Sequence, residues 1–127
     1  MGRLLLICLG GAIGTAARYG VSVWARGALG TGFPYGTLAV NVVGSFLLAL
    51  IMYVGLHTEI VSPTTRLVLG TGVMGGFTTY SSFNYESLQL FEERSFRLGF
   101  VNMFVTLLGC FVAGWLGLAL AKRLVGG

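Results

Sequence analysis

Gly75-Gly76-Phe77-Thr78-Thr79-Tyr80-Ser81-Ser82-Phe83-Asn84-Tyr85-Glu86 lies between an apolar, glycine-rich run from Leu67 and a second apolar group, Leu88, Leu90 and Phe91. Every residue from Thr78 to Glu86 except Phe83 carries a hydroxyl, an amide or a carboxylate. Polar groups at membrane depth are costly unless they find partners or water. Irregular backbone there is tolerated only when buried in protein or lining a polar cavity. The paired glycines remove two side chains just ahead of the polar run, so the stretch predicts a helix broken at 75–79, near the bilayer midplane. Carbonyls freed at such a break can hold a cation, and the N-terminus of the helix that restarts can attract an anion. The competing reading is a glycine kink whose hydroxyls bond back onto their own helix.

Outward from this stretch the chain reads as membrane throughout. Of its 127 residues 55% are hydrophobic and only 9% charged, against about 25% charged in a soluble domain. The mean hydropathy is +0.86. Charges cluster at Arg3, Arg26, Glu59, Arg66, Glu92 to Arg97, and Lys122-Arg123, leaving apolar lengths between them; only Arg18 and Glu86 interrupt the pattern. A span needs roughly 20 apolar residues to cross the hydrocarbon. Spans are predicted over 4–25, 36–56, 65–91 and 98–121, making 1–127 a single four-span domain in an all-α membrane fold with its third helix broken. The first stretch lacks a convincing cleavage site and runs on into apolar sequence, so it is read as a span and not a signal peptide. Turn chemistry marks loops near 27–35, 57–64 and 92–97, and Pro63 suits a first helical position.

Lys and Arg usually mark the cytoplasmic side. Arg3, Arg66, Lys122 and Arg123 share one side of the predicted topology, and Arg26, Arg94 and Arg97 share the other. So even a distribution points to dual topology, the chain inserting in both directions. Four short helices also enclose little volume, and an antiparallel pair would reproduce the inverted-repeat architecture of many transporters. Among the 21 glycines, Gly10 with Gly14 and Gly72 with Gly76 have the spacing that lets helix backbones approach closely in lipid. The net charge of +4 forms no stripe; it reads as anchoring to lipid headgroups and not as a nucleic-acid surface. Cys8 and Cys110 fall inside predicted spans with no metal-ligand spacing, and read as small buried apolar residues.

Further polar residues lie inside the other spans. Asn41, in Gly36-Thr37-Leu38-Ala39-Val40-Asn41, offers two amide donors to an anion or a carbonyl, or an interhelical hydrogen bond. Arg18 either snorkels to an interface or faces an aqueous vestibule. Asn102 and Thr106 share a helical face and either continue a polar track or bond across helices.

Three motifs together carry a resemblance that covers the whole chain. They are Gly10-Gly11-x-x-Gly14-x-x-x-Arg18, Gly36-Thr37-Leu38-x-Val40-Asn41, and Gly72-x-x-Gly75-Gly76-x-Thr78-Thr79-Tyr80-Ser81-Ser82-Phe83 followed by Glu86. The chain resembles the Fluc, or CrcB, family of fluoride channels. The resemblance implies an antiparallel homodimer in the plasma (inner) membrane with two fluoride pathways. It implies a structural sodium ion held at the dimer interface by the carbonyls of Gly75 and Thr78. It assigns Asn41, Thr79, Tyr80, Ser81, Phe83 and Glu86 to the fluoride pathway, continued by Asn102, Thr106 and Cys110, with Arg18 at a vestibule. Tyr80 and Phe83 would present ring edges, the positive end of the aromatic quadrupole. The chain departs from the family pattern where Tyr80 replaces the usual phenylalanine, Cys110 a frequent serine, and Asn102 a position that can carry tyrosine.

The residues by themselves describe a narrow, mainly uncharged polar and aromatic path for a small ion; fluoride comes from the resemblance. No nucleotide site, acid–base pair or metal cluster is evident, so the expected protein is not an enzyme. Two other classes compete with a passive channel. A small dual-topology, proton-coupled exporter shares the size but relies on a glutamate in the first span, where this chain has no acid. A non-transporting scaffold would leave the broken polar span without a purpose.

Overall fold

The computed structural model describes residues 1–126. All regular structure among them is helical, in the order α1 (Gly2–Leu29), α2 (Tyr35–His57), α3 (Pro63–Leu67), a π-helical stretch (Val68–Met74), α4 (Gly75–Phe77), α5 (Tyr80–Gln89), a second π-helical stretch (Leu90–Arg94) and α6 (Phe96–Gly126). Three of these, α1, α2 and α6, are long and apolar enough to cross a membrane. Their most apolar windows are only 11%, 17% and 17% buried, so the apolar faces demand lipid or another chain as solvent. This is a multi-pass membrane protein.

The predicted third span, 65–91, is present as two half-segments. The first runs from Pro63 through α4, the second from α5 through the second π stretch. The first begins as the sequence suggests: Pro63 follows the N-cap Ser62, whose side chain accepts from the Thr65 amide. Loops are shorter than expected at the third connection, where Ser95 alone separates the second π stretch from α6. The first loop turns at Gly30, whose φ of 85° is a conformation that side-chain-bearing residues avoid.

Glycines decide how the helices meet. A Cβ on Gly10 would stand 3.0 Å from the Val68 carbonyl, and one on Gly72 would stand 3.0 Å from the Ile7 carbonyl. On Gly14 it would overlap the Val73 carbonyl, and on Gly76 the Gly11 carbonyl. The two predicted glycine pairs therefore face each other, and α1 lies backbone to backbone on the first half-segment. On the other flank α2 packs along α6, with Gly117 against the Phe46 carbonyl.

The broken helix and its groove

The break is narrower than the sequence suggests and begins later. Gly75 and Gly76 are helical, and the chain leaves the helix only after Phe77. Gly76 gives room for α1, not conformational freedom: it sits where any side chain would meet Gly11 and Thr15. Thr78 (φ −89°, ψ 161°) and Thr79 (φ −155°, ψ 123°) are extended, and Tyr80 restarts the helix.

Each exposed helix end at the break is closed by a side chain. Thr78 Oγ1 donates to the Met74 carbonyl at 2.9 Å, capping the first half-segment. The Ser82 amide donates to Thr79 Oγ1 at 3.2 Å, an N-cap for α5. Arg18 donates through Nε to the Gly76 carbonyl at 3.1 Å. Half-buried in α1, Arg18 thus replaces the helical donor that Gly76 loses where the chain becomes extended.

Asn41 holds the extended residues. Its Nδ2 donates to the Thr79 carbonyl and its Oδ1 accepts from the Thr79 amide, both at 2.9 Å. The side-chain amide thereby pairs with a backbone peptide as a neighbouring strand would. Asn41 is 9% exposed, and one Nδ2 hydrogen remains beyond the bond to Thr79. With the Thr79 amide turned to Asn41 and the Ser82 amide turned to Thr79, the carbonyls of Gly75 and Thr78 lose the donors a continuous helix would supply. Gly75 is exposed, and a Cβ there would meet nothing within 4 Å.

Beside the break lies an open groove of about 790 Å³. It brings together Asn41, Thr78, Thr79, Tyr80 and Phe83 with Thr106 and Cys110 from α6. Phe100, Met103, Phe104 and Leu107 supply an apolar wall. The Tyr80 and Phe83 rings lie 5.8 Å apart at 24°, and Tyr80 is 75% exposed.

Three expected residues lie elsewhere. Ser81 is exposed on α5 and does not line the groove. Glu86 accepts a hydrogen bond from Thr37 Oγ1 at 2.5 Å, and both residues line a separate pocket of about 250 Å³ beneath the first loop, with Arg26, Glu93 and Arg94 at its rim. Asn102 is only 1% exposed; its Nδ2 donates to Ser87 Oγ at 2.8 Å. The partners Ser87 and Thr37 carry no role in the sequence analysis, although Thr37 lies within the Asn41 motif. The available signal was helical spacing: Thr37 precedes Asn41 by one turn, and Ser87 follows Phe83 by one turn.

The family model described as "CrcB-like protein, Camphor Resistance (CrcB)" matches residues 5–118. The chain belongs to the CrcB-like family. Its relatives match over nearly their whole lengths. A protein of Sorangium cellulosum (strain So ce56) is 56% identical over 127 residues, the whole of both chains. One from Anaeromyxobacter sp. (strain K) is 54% identical over 126 residues, 99% of this chain and 100% of its own. One from Geotalea daltonii is 42% identical over 122 residues, 96% and 98% respectively. All three are named fluoride-specific ion channel FluC.

Proposed function

We propose that this protein is a fluoride-selective channel that lets fluoride leave the cell passively and so limits its toxicity. The observation that carries the reading is the groove at the break, where Asn41, Thr79, Tyr80, Phe83, Thr106 and Cys110 converge. The naming of full-length relatives as fluoride channels supports it. A permeating ion needs replacements for its hydration shell. The lining supplies them without a carboxylate: the free Nδ2 hydrogen of Asn41, hydroxyls, and the ring edges of Tyr80 and Phe83. Ser81 and Glu86 extend a polar track along α5 toward the pocket holding Thr37, and Asn102 supports its far side from α6. A channel of this kind performs no covalent chemistry.

The groove is open on one side, and a second copy is its natural lid. The working unit is an antiparallel homodimer in which each chain crosses the bilayer four times, the third crossing made of the two half-segments. The nearly even division of Lys and Arg supports dual topology, and the poorly buried apolar faces of α1 and α6 support an assembly embedded in plasma-membrane lipid. The carbonyls of Gly75 and Thr78 fit a sodium site: they are hard oxygen donors without helical partners, on an exposed edge where a second copy would add an equal set. When bound there, sodium supplies positive charge at the dimer centre. Arg18, held on the Gly76 carbonyl, places a guanidinium near the break and favours anions in the adjoining vestibule.

The test is efflux from liposomes loaded with fluoride or chloride, with and without a pH gradient. Rapid fluoride efflux without a gradient and negligible chloride efflux are expected. Efflux that requires a proton gradient would replace the channel with a coupled exporter, and absence of any flux would favour a scaffold.

A further inference from the structure

Half of α5 faces away from its own chain: Tyr80, Ser81, Asn84, Tyr85 and Leu88 are exposed. What ties this half-segment to α6 near the groove is a line of three buried polar side chains. Thr106 Oγ1 donates to Asn102 Oδ1 at 3.4 Å, Asn102 Nδ2 donates to Ser87 Oγ at 2.8 Å, and Ser87 Oγ donates to the Phe83 carbonyl at 2.8 Å. Thr106, Asn102 and Ser87 are 6%, 1% and 4% exposed. Donation runs one way along the line and ends on the backbone of the residue whose ring lines the groove.

We propose that Ser87 is a positioning residue for ion passage: through Asn102 it sets where the Phe83 ring stands. The inference rests on the channel reading and adds to it a residue that touches no ion. Apolar contacts between α5 and α6 allow sliding, because hydrophobic attraction is non-directional. Hydrogen bonds weaken steeply off their geometry, and a fully satisfied buried line of them selects one arrangement. Sliding or turning α5 along α6 would break the Asn102–Ser87 bond and carry Phe83 with it. Ser87 bonds one turn back on its own helix, a contact that also bends helices slightly, so its hydroxyl couples the tilt of α5 to α6.

Fluoride efflux and chloride leak are to be measured in liposomes for the unaltered chain, Ser87→Ala and Ser87→Ala/Asn102→Leu, with thermal unfolding of the same detergent-solubilised samples. Flux is referred to monodisperse protein, so the readout stands whether or not every variant is equally stable. Ser87→Ala orphans the Asn102 amide and is expected to lower both the unfolding temperature and fluoride flux, the latter about tenfold for one lost buried bond. Making both partners apolar removes the orphan, and the Thr106 hydroxyl can turn to the carbonyl one turn back. The double variant should therefore regain stability while its fluoride flux stays low and its chloride leak rises. Flux that recovers together with stability, or undiminished flux in Ser87→Ala, would overturn the positioning role and leave a structural one. No fluoride flux from the unaltered chain would instead remove the channel reading, and this inference with it.

Discussion

Asn41→Asp keeps the size and shape of the side chain and changes one atom's chemistry. The oxygen that accepts from the Thr79 amide at 2.9 Å remains, but the nitrogen that donates to the Thr79 carbonyl at 2.9 Å becomes a second oxygen. One hydrogen bond is lost and the Thr79 carbonyl is left unpaired, at a cost of roughly 1–3 kcal/mol. The effect on an anion is larger. A unit charge about 4 Å from the ion path, at an effective dielectric of about 20, disfavours an anion by about 4 kcal/mol. That is about a thousandfold in occupancy, so fluoride efflux should fall below detection against protein-free liposomes. Asn41→Leu separates the two effects, because it removes both bonds to Thr79 without adding charge. It should unfold at least as readily as Asn41→Asp while retaining measurable efflux. Undiminished efflux from Asn41→Asp would remove Asn41 from the ion path, and an unchanged unfolding temperature in both variants would refute the role assigned to its pairing with Thr79.

Phe83→Ile keeps an apolar side chain in the groove but removes the ring edge and the stack with Tyr80; fluoride efflux should drop by at least about tenfold if ring edges replace water around the ion, and equal efflux would reduce Phe83 to packing. Gly14→Ala forces a methyl group into the Val73 carbonyl, whereas Gly11→Ala meets its nearest neighbour at 3.8 Å. The first should cost about 1–3 kcal/mol in thermal unfolding and the second close to none, and equal costs would undo the account of α1 packing. Glu59→Cys in the second loop, in a background with Cys8 and Cys110 replaced, should react with a membrane-impermeant maleimide from both faces of the bilayer. Labelling from one face alone would end the dual-topology proposal.

Hydropathy and the gaps between charges made α1, α2 and α6 legible to within a few residues at most ends, because a long apolar run surrounded by lipid has few alternatives to a helix. The polar run made a broken third segment legible, but not where it breaks. Gly75 and Gly76 looked like the opening, since glycine is the usual place for a chain to leave a helix. The demand on Gly76 comes from Gly11 and Thr15 on α1, more than sixty positions away in the chain, and Gly75 has open space around it. Thr78 and Thr79 are extended because Asn41 supplies the partners that helical neighbours would have given, and a pairing across 38 positions leaves no local mark. The same holds for Glu86, matched by Thr37 on α2, and for Asn102, whose partner Ser87 lies just beyond the run from Thr78 to Glu86. Residue types announced that polar groups had to be satisfied inside the membrane. Only the packing of four separate helical regions decided which group satisfies which.

The π-helical stretch at Val68–Met74 has a consequence for how the chain tolerates change in length. An α-helix advances about 100° per residue, and a π stretch absorbs extra residues by widening the turn. It therefore acts as a phase adjuster, setting the angle at which Gly75 to Phe77 emerge relative to Pro63. Shortening it by one residue would let the segment relax to the α pitch, where each residue turns further, so what lies beyond would keep nearly the same angle. Gly76 would still meet Gly11 on α1. The π stretch is therefore the place where this half-segment can lose a residue and keep the angle of the break, whereas a residue inserted in the α-helical turn after it, Gly75–Phe77, would turn the break by about 100°.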